Sequence, residues 1–318
     1  MNVQTMKRSV ALVLTAATVM TANAGALFGR KGGGTLQADG VPVAQEISVE
    51  TYQNVSCRGI FSAQSDVEEE LVFAVEDQPR KGTVAVDGAE FVYMPRMGAF
   101  GKDRFTYTVT DGNGNRSRPA VVSVAIRKTR SGVTYADTAD SPAAVAAQHL
   151  AECGIFTGAK IGTQYYFEPE KEVSRSEFLA MVMETAGYTA AHVEMTGFCD
   201  DAVIPAWAKA YASAGVKDGI IRGTATADGA VFRGGDCTTF NEAATILNRI
   251  LNMEDVDLTE RYADREAVPS WAAQAVGNME AVAVLSAGSF GSVSMGAPVT
   301  RADAAQMLSA TKCLLTEK

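Results

Sequence analysis

A long internal repeat organises this chain. Three units align over its second half. The first opens with Tyr135-Ala-Asp137, the second with Phe198-Cys-Asp200 and the third with Tyr262-Ala-Asp264, so the aspartates recur at steps of 63 and 64 residues. Trp207 and Trp271 each follow their aspartate by seven residues. Gly154-Ile-Phe-Thr-Gly158 corresponds to Gly219-Ile-Ile-Arg-Gly223. Twenty residues after the first glycine of each comes a polar tetrad, Ser174-Arg-Ser-Glu177 and Thr239-Phe-Asn-Glu242. The third unit has Thr300-Arg-Ala-Asp303, and Phe167 and Phe232 each precede their tetrad by seven residues. With a period this long, each unit is one supersecondary piece that must bury its apolar face against its neighbours.

The local physics of one unit can be read directly. Ala143 to Cys153 and Trp207 to Gly215 are helix-forming runs whose small side chains allow close helix approach. Gly154 and Gly219 stand where a left-handed residue would end them. Ser174-x-x-Glu177 and Thr239-x-x-Glu242 are capping boxes that open a second helix. That cap explains the hydroxyl and the carboxylate but not Arg175 and Arg301. A cation in the first turn opposes the helix dipole. Such an arginine beside free N–H groups makes a carboxylate or phosphate site. An arginine merely exposed, or paired with a nearby aspartate, is the plainer reading of the same position.

This ordered set resembles the S-layer homology domain in three tandem copies, over residues 135–318. The resemblance implies a helical pseudo-threefold bundle with grooves between neighbouring repeats. It implies that those grooves bind anionic, often pyruvylated, secondary cell-wall polysaccharide, whose carboxylate meets the arginine and the helix N-terminus. The residues that would serve are Arg175, Arg301, Ser174, Thr300, Thr239, Glu177, Glu242, Asp303, Trp207, Trp271, Asp137, Asp200 and Asp264. The tryptophans read first as core anchors and second as sugar-stacking walls. The aspartates read equally as local caps or as partners of sugar hydroxyls. Lys160, Arg222 and Arg233 are further local cations. The repeats also depart from the pattern. Pro142 stands where the first tryptophan would be and Phe240 replaces an arginine. Ala283-Val-Leu-Ser-Ala287 replaces the glycine element, and Val293 and Met295 stand for Phe and Pro.

Residues 45–128 have a different grammar. Glu70-Leu-Val-Phe-Ala-Val75, Glu90-Phe-Val-Tyr93, Arg104-Phe-Thr-Tyr-Thr-Val109 and Val121-Val-Ser-Val-Ala-Ile126 alternate with period two. Turn signals such as Val86-Asp87-Gly88 and Asp111-Gly-Asn-Gly-Asn115 separate them. About seven short strands at this spacing predict a β-sandwich. The run from Pro79-Arg-Lys-Gly-Thr-Val84 through Gly101-Lys-Asp103 to Asp111-Gly-Asn-Gly114 resembles bacterial Ig-like, cadherin-like domains, which usually act as spacers. Asp103, Asp111, Asn113 and Asn115 could supply oxygens to calcium, but a tight hairpin needs the same residues.

The N-terminus reads as a secretory signal over residues 1–24. Lys7 and Arg8 precede the apolar run Val10 to Met20, and Ala22-Asn23-Ala24 offers a cleavage site. The run is too short to span a membrane comfortably. Its removal takes two positive charges from a chain of net charge −9. No basic stripe invites nucleic acid, and no membrane contact is expected after cleavage. Residues 25–44 read as a flexible leader and 129–134 as a linker. The repeats run 135–196, 197–260 and 261–318. The fold expected is therefore multidomain, an all-β Ig-like sandwich followed by an all-α bundle of three repeats. The five cysteines match no zinc spacing. Of the two histidines, His149 reads as packed, and Glu68-Glu-Glu70 reads as a solvated run. No convergent titratable set points to an enzyme, and no cofactor is implied. The expected function is a secreted protein on the bacterial cell surface, held to wall polysaccharide. The rival is an envelope assembly protein whose repeats make protein contacts without binding sugar.

Overall fold

The structure is a computed structural model that describes residues 40–65, 71–189, 191–261, 268–286 and 293–317. The secretory signal, the leader up to residue 39, Glu68-Glu-Glu70 and the Tyr262-Ala-Asp264 motif with its Asp264 lie outside these residues. Two compact units divide between Thr129 and Arg130.

The first unit contains β1 (Val43–Ala44), β2 (Ile47–Tyr52), β3 (Cys57–Ile60), β4 (Ala63–Gln64), β5 (Val72–Val75), β6 (Gly82–Asp87), β7 (Glu90–Pro95), β8 (Gly101–Thr110) and β9 (Ala120–Arg127). One sheet has the order β2-β9-β8-β5 and the other β3-β7-β6, while β1 pairs with β4. The parallel β2–β9 pair matches Ile47 with Val122; the remaining pairs are antiparallel. Alternation does the sorting. In β9, Ala120, Val122, Val124 and Ile126 are buried while Ser123 and Arg127 face out. Phe61, Phe91, Phe105 and Tyr107 form the aromatic centre, with Phe61 stacked on Tyr107 at 4.3 Å. Such ring pairs add about 0.5–1.5 kcal/mol beyond the area they bury. Gly59 is required by close approach, because a Cβ there would stand 2.3 Å from the Phe91 ring.

Asp103 and Asp111 sit at opposite ends of β8, about 25 Å apart along a strand, so they cannot share one cation. Each has a local task. Asp111 accepts from the Asn113 and Asn115 amides at 3.0 and 2.8 Å, closing the turn. Asp103 accepts from the Arg80 and Lys81 amides at 3.0 and 2.8 Å and from the Tyr93 hydroxyl at 2.8 Å. Burial works to raise its pKa, but bonds from Tyr93, Lys81, Arg104 and Arg80 outweigh it and hold the carboxyl below its ordinary value. A depressed folded pKa contributes stability above the unfolded pKa, and that stability is lost as pH falls through the folded value. Asp103→Asn is therefore expected to destabilise the β unit by about 1 kcal/mol at neutral pH, a figure reduced for its partial exposure. Denaturant melts should show the gap from wild type closing on acidification. A gap that stays constant with pH would refute the carboxylate's role.

The second unit repeats one pattern. Repeat 1 holds α1 (Ala144–Glu152), β10 (Ala159–Ile161), β11 (Gln164–Tyr166) and α2 (Arg175–Thr185). Repeat 2 holds α3 (Ala206–Lys217), β12 (Thr224–Thr226), β13 (Gly229–Val231), α4 (Phe240–Leu251) and the short α5 (Leu258–Arg261). Repeat 3 holds α6 (Ser270–Ala281) and α7 (Arg301–Glu317). The expectation of an all-α unit is corrected by the two hairpins, β10–β11 and β12–β13. Their three-residue strands are too short to set up a readable alternation.

The ring closes through backbone. The Val173 amide donates to the Val299 carbonyl at 2.9 Å, the Val299 amide to Thr238 at 2.7 Å, and the Thr238 amide back to Val173 at 2.9 Å. Each of these residues stands just before its capping residue, so the three second helices start around one pseudo-threefold axis. Around that ring α3 packs on α2, α6 on α4, and α1 on α7. Phe178, Leu179, Val182, Leu247, Ala304 and Leu308 fill the core. The first helices end alike. Gly154 and Gly219 take φ of 72° and 71°, and the next amide reaches back to Leu150 or Gly215. Ala283 adopts φ 55° at the same place, and the following Val284 amide makes the same bond to Met279. A Cβ in that conformation costs about 1–2 kcal/mol, so packing in repeat 3 overrides the local preference.

Candidate functional site

All three capping boxes form. Ser174, Thr239 and Thr300 accept from the amides of Glu177, Glu242 and Asp303, and each of those carboxylates accepts from its cap's amide. These six side chains, expected at the ligand, are thus engaged in starting the helices. Asp137 and Asp200 are engaged as well. Both oxygens of Asp137 accept backbone amides, from Phe167 at 2.9 Å and Glu168 at 2.7 Å. Asp200 holds Phe232 and Arg233 in the same way at 2.8 and 2.7 Å. The clamp fixes Glu168 and Arg233 in the left-handed region, each with φ 55°. These bonds give the two aspartates a local positioning role, one of the two readings of their position.

The arginines sit at the junctions between repeats. Arg175 donates to the Phe232 carbonyl at 3.0 Å and to Glu242 at 2.6 Å, reaching from repeat 1 into repeat 2. Arg301 donates to the Phe167 carbonyl at 3.0 Å and to Glu168 at 2.6 Å, with Glu177 at 3.8 Å, reaching from repeat 3 into repeat 1. Its guanidinium also lies 5.1 Å from the Phe156 ring centre. The expectation of open cations is corrected. Both arginines are largely buried in ion pairs, because a fork at a helix start meets a neighbouring repeat's glutamate before it meets solvent, the capping Glu242 for Arg175 and the clamped Glu168 for Arg301. The plainer pairing with aspartate is also amended, since the partners are glutamates of the next unit.

The tryptophans overturn the core-anchor reading. Trp207 is 52% exposed and Trp271 59%. The neighbouring alanines, Ala208 and Ala272, occupy the core positions instead, because tight helix packing there admits only small side chains. Trp207 walls a cavity of about 660 Å³ between repeats 1 and 2, together with Phe156, Glu177, Glu184 and Tyr211. Tyr211 donates to Glu184, and that bond, then burial, pushes its hydroxyl up to about 12. Among the expected residues, Glu177 and Trp207 come together here, with Arg301 beside Glu177.

Moving one repeat onward reverses the charge. The tenth residue after the cap is Glu184 in repeat 1 but Arg249 in repeat 2. The clamped left-handed residue is Glu168 in repeat 1 but Arg233 in repeat 2. Arg249 donates to the Ile220 carbonyl at 2.8 Å, and burial plus the nearby charge of Arg222 lowers its pKa. The position of Glu184 on the cavity wall thus carries a cation in repeat 2, while Glu242 keeps the carboxylate of Glu177. The third junction has Phe240, half-buried against the core, for its arginine and exposed Pro142 for its tryptophan. Glu168, Glu184 and Arg249 were not singled out by motif, yet aligning every position of the repeats brings them out. Lys160 lies 5.1 Å from the Tyr165 ring on its hairpin and joins neither arginine.

Among the described residues, no group of three or more His, Cys, Asp or Glu could hold a metal ion. No helix among them is long and apolar enough to cross a membrane. The family model of the bacterial Ig domain matches residues 39–125, so the N-terminal β unit is a bacterial Ig domain. No curated protein matches the chain. Similar solved structures include an endo-fucoidan hydrolase from glycoside hydrolase family 107, at 15% identity and a TM-score of 0.26, over 30% of this chain and 15% of that one. The fibronectin(III)-like modules of CbhA from Clostridium thermocellum match at 16% identity and TM-score 0.21, over 29% of this chain and 50% of theirs. The SrpA adhesin from Streptococcus sanguinis matches at 12% identity and TM-score 0.24, over 32% of this chain and 65% of that one. The chain spans under a fifth of the length of the hydrolase.

Proposed function

We propose that this chain is an exported bacterial cell-surface protein held non-covalently to the cell wall by three S-layer homology repeats. Their ligand is an anionic secondary wall polysaccharide, and the bacterial Ig domain serves as spacer or interaction module. The observation that carries this reading is the pair of solvent-facing tryptophans at matching positions of repeats 2 and 3, one of them walling a cavity of sugar size. An indole stacks on a sugar ring, while carboxylates and guanidinium forks beside it bond hydroxyls and acids. Arg233 and Arg249, which stand in repeat 2 where repeat 1 has Glu168 and Glu184, favour the junction of repeats 2 and 3 for an anionic chain.

The test is retention of the purified protein on wall sacculi, intact or stripped of secondary polymer. Intact walls are expected to retain it and stripped walls to release it. Trp271→Ala, at an exposed site, should weaken retention about tenfold. Retention that ignores both the polymer and Trp271 would overturn the reading. Self-association without retention would favour the assembly protein, to which Phe240 and the internally paired arginines also point.

A further inference from the structure

The junction that closes the ring carries two cysteines on neighbouring helices. His149 of α1 and Ser309 of α7 touch, with Nδ1 2.7 Å from the hydroxyl. The same positions at the α4–α6 junction are Asn248 and Asn278, bonded at 3.0 Å. At the α2–α3 junction the helices run in the same direction. Trp207 and Glu177 line one cavity near their starts, Tyr211 bonds Glu184 further along, and Tyr188 bonds Asp218 past their ends. The repeat therefore sets α1 and α7 parallel. One turn beyond the His149–Ser309 contact stand Cys153, the C-cap residue of α1, and Cys313 on α7, both of them thiols in this structure. Cys153 keeps helical geometry at the C-cap, with φ −84° and ψ −5°. Its counterpart is Asp218, and Tyr188 stands one residue past the counterpart of Cys313. Facing positions on packed parallel helices have Cα atoms about 4–6 Å apart, within the range a disulfide spans.

We propose that Cys153 and Cys313 form a disulfide that locks the last helix onto the first repeat. The other cysteines are placed elsewhere. Cys57 is buried in the β unit, Cys199 donates to the Asp228 carbonyl at 2.9 Å, and Cys237 donates to Glu172 at 3.0 Å. The chemistry is exchange with a disulfide oxidant. One thiolate attacks the oxidant's sulfur and releases its first thiol. The second thiolate then displaces the remaining half. The two thiols are oxidised to one disulfide, the oxidant is reduced to two thiols, and the two protons pass to them. The bond would persist in an oxidising compartment, so its presence in cells rests on the export reading, whereas its geometry does not.

The experiment treats the purified, reduced protein with oxidised glutathione, alkylates it, and maps its peptides by mass. The expected product has lost two hydrogens, and the peptides bearing Cys153 and Cys313 are linked. Reduction should then lower the melting temperature of the helical unit by about 5–10 °C. Cys153→Ser and Cys313→Ser should each melt at the reduced value with or without reductant. Alkylation of both thiols after oxidation, linkage through other cysteines, or only glutathione adducts would overturn the proposal. Protein taken directly from cells under alkylation separates the two readings. A bond that forms in vitro but is absent there would count against export and leave the geometry standing.

Discussion

Replacing Arg301 by alanine is expected to lower the unfolding free energy of the helical unit by about 3 kcal/mol. The residue is 8% exposed. It binds a backbone carbonyl and Glu168, approaches Glu177 and lies by the Phe156 ring, all in the repeat that its own helix must meet to close the ring. An exposed pair would contribute about 0–1 kcal/mol. Here truncation strands the Phe167 carbonyl and leaves Glu177 without its counter-charge, which places the loss in the range for broken buried pairs. The half-exposed Glu168 holds it to the lower end of that range. For a unit of this size the melting temperature should fall by about 6–12 °C. Lysine should recover only part of the loss, because a single ammonium cannot serve the carbonyl and both carboxylates as a fork does. Phe240 points the same way: at this position of repeat 2 an apolar side chain packs on the core, and no arginine is needed. Calorimetry on Arg301→Ala, with Glu168→Ala and the double variant, closes the cycle. A shift below about 2 °C in Arg301→Ala would remove the arginine from the ring's closure.

Much of this architecture is legible in the chain. The tetrads fix three helix starts because a hydroxyl and a carboxylate three residues apart have one favourable use. Gly154 and Gly219 fix two helix ends because a Cβ opposes the left-handed turn. The period-two runs place the strands that Phe61 and Phe91 join into one core. What sequence left open is partnership. Nothing near Arg175 in the chain announces that Glu242 will face it, because ring closure, a tertiary event, brings repeat 2 beside it. Trp207 misleads for a related reason. Hydrophobicity says buried, but the seat one residue on is filled by Ala208, and the helix turns the indole outward. The hairpins are not legible in the sequence because three residues give too little pattern to count.

The charge inversion between successive repeats yields the second large effect. Arg233→Glu with Arg249→Glu gives repeat 2 the carboxylates that repeat 1 carries at Glu168 and Glu184. Binding of purified anionic wall polymer is expected to weaken about a hundredfold at low ionic strength, each reversed charge contributing about tenfold. The difference from wild type should shrink as salt rises, because screening over about 8–10 Å erodes what these cations add. Arg249 also donates to the Ile220 carbonyl, so Arg249→Lys serves as the charge-preserving control. It should hold most of the affinity even if the fold loosens slightly, and circular dichroism melts report that separately. The reciprocal change, Glu184→Arg, introduces a cation into the acidic cavity beside Trp207 and should raise affinity there. Titration calorimetry across a salt series decides between the grooves. Unchanged affinity in the doubly reversed protein, with loss on Trp207→Ala, would move the polymer to the junction of repeats 1 and 2, where recognition would then depend on sugar hydroxyls and the indole.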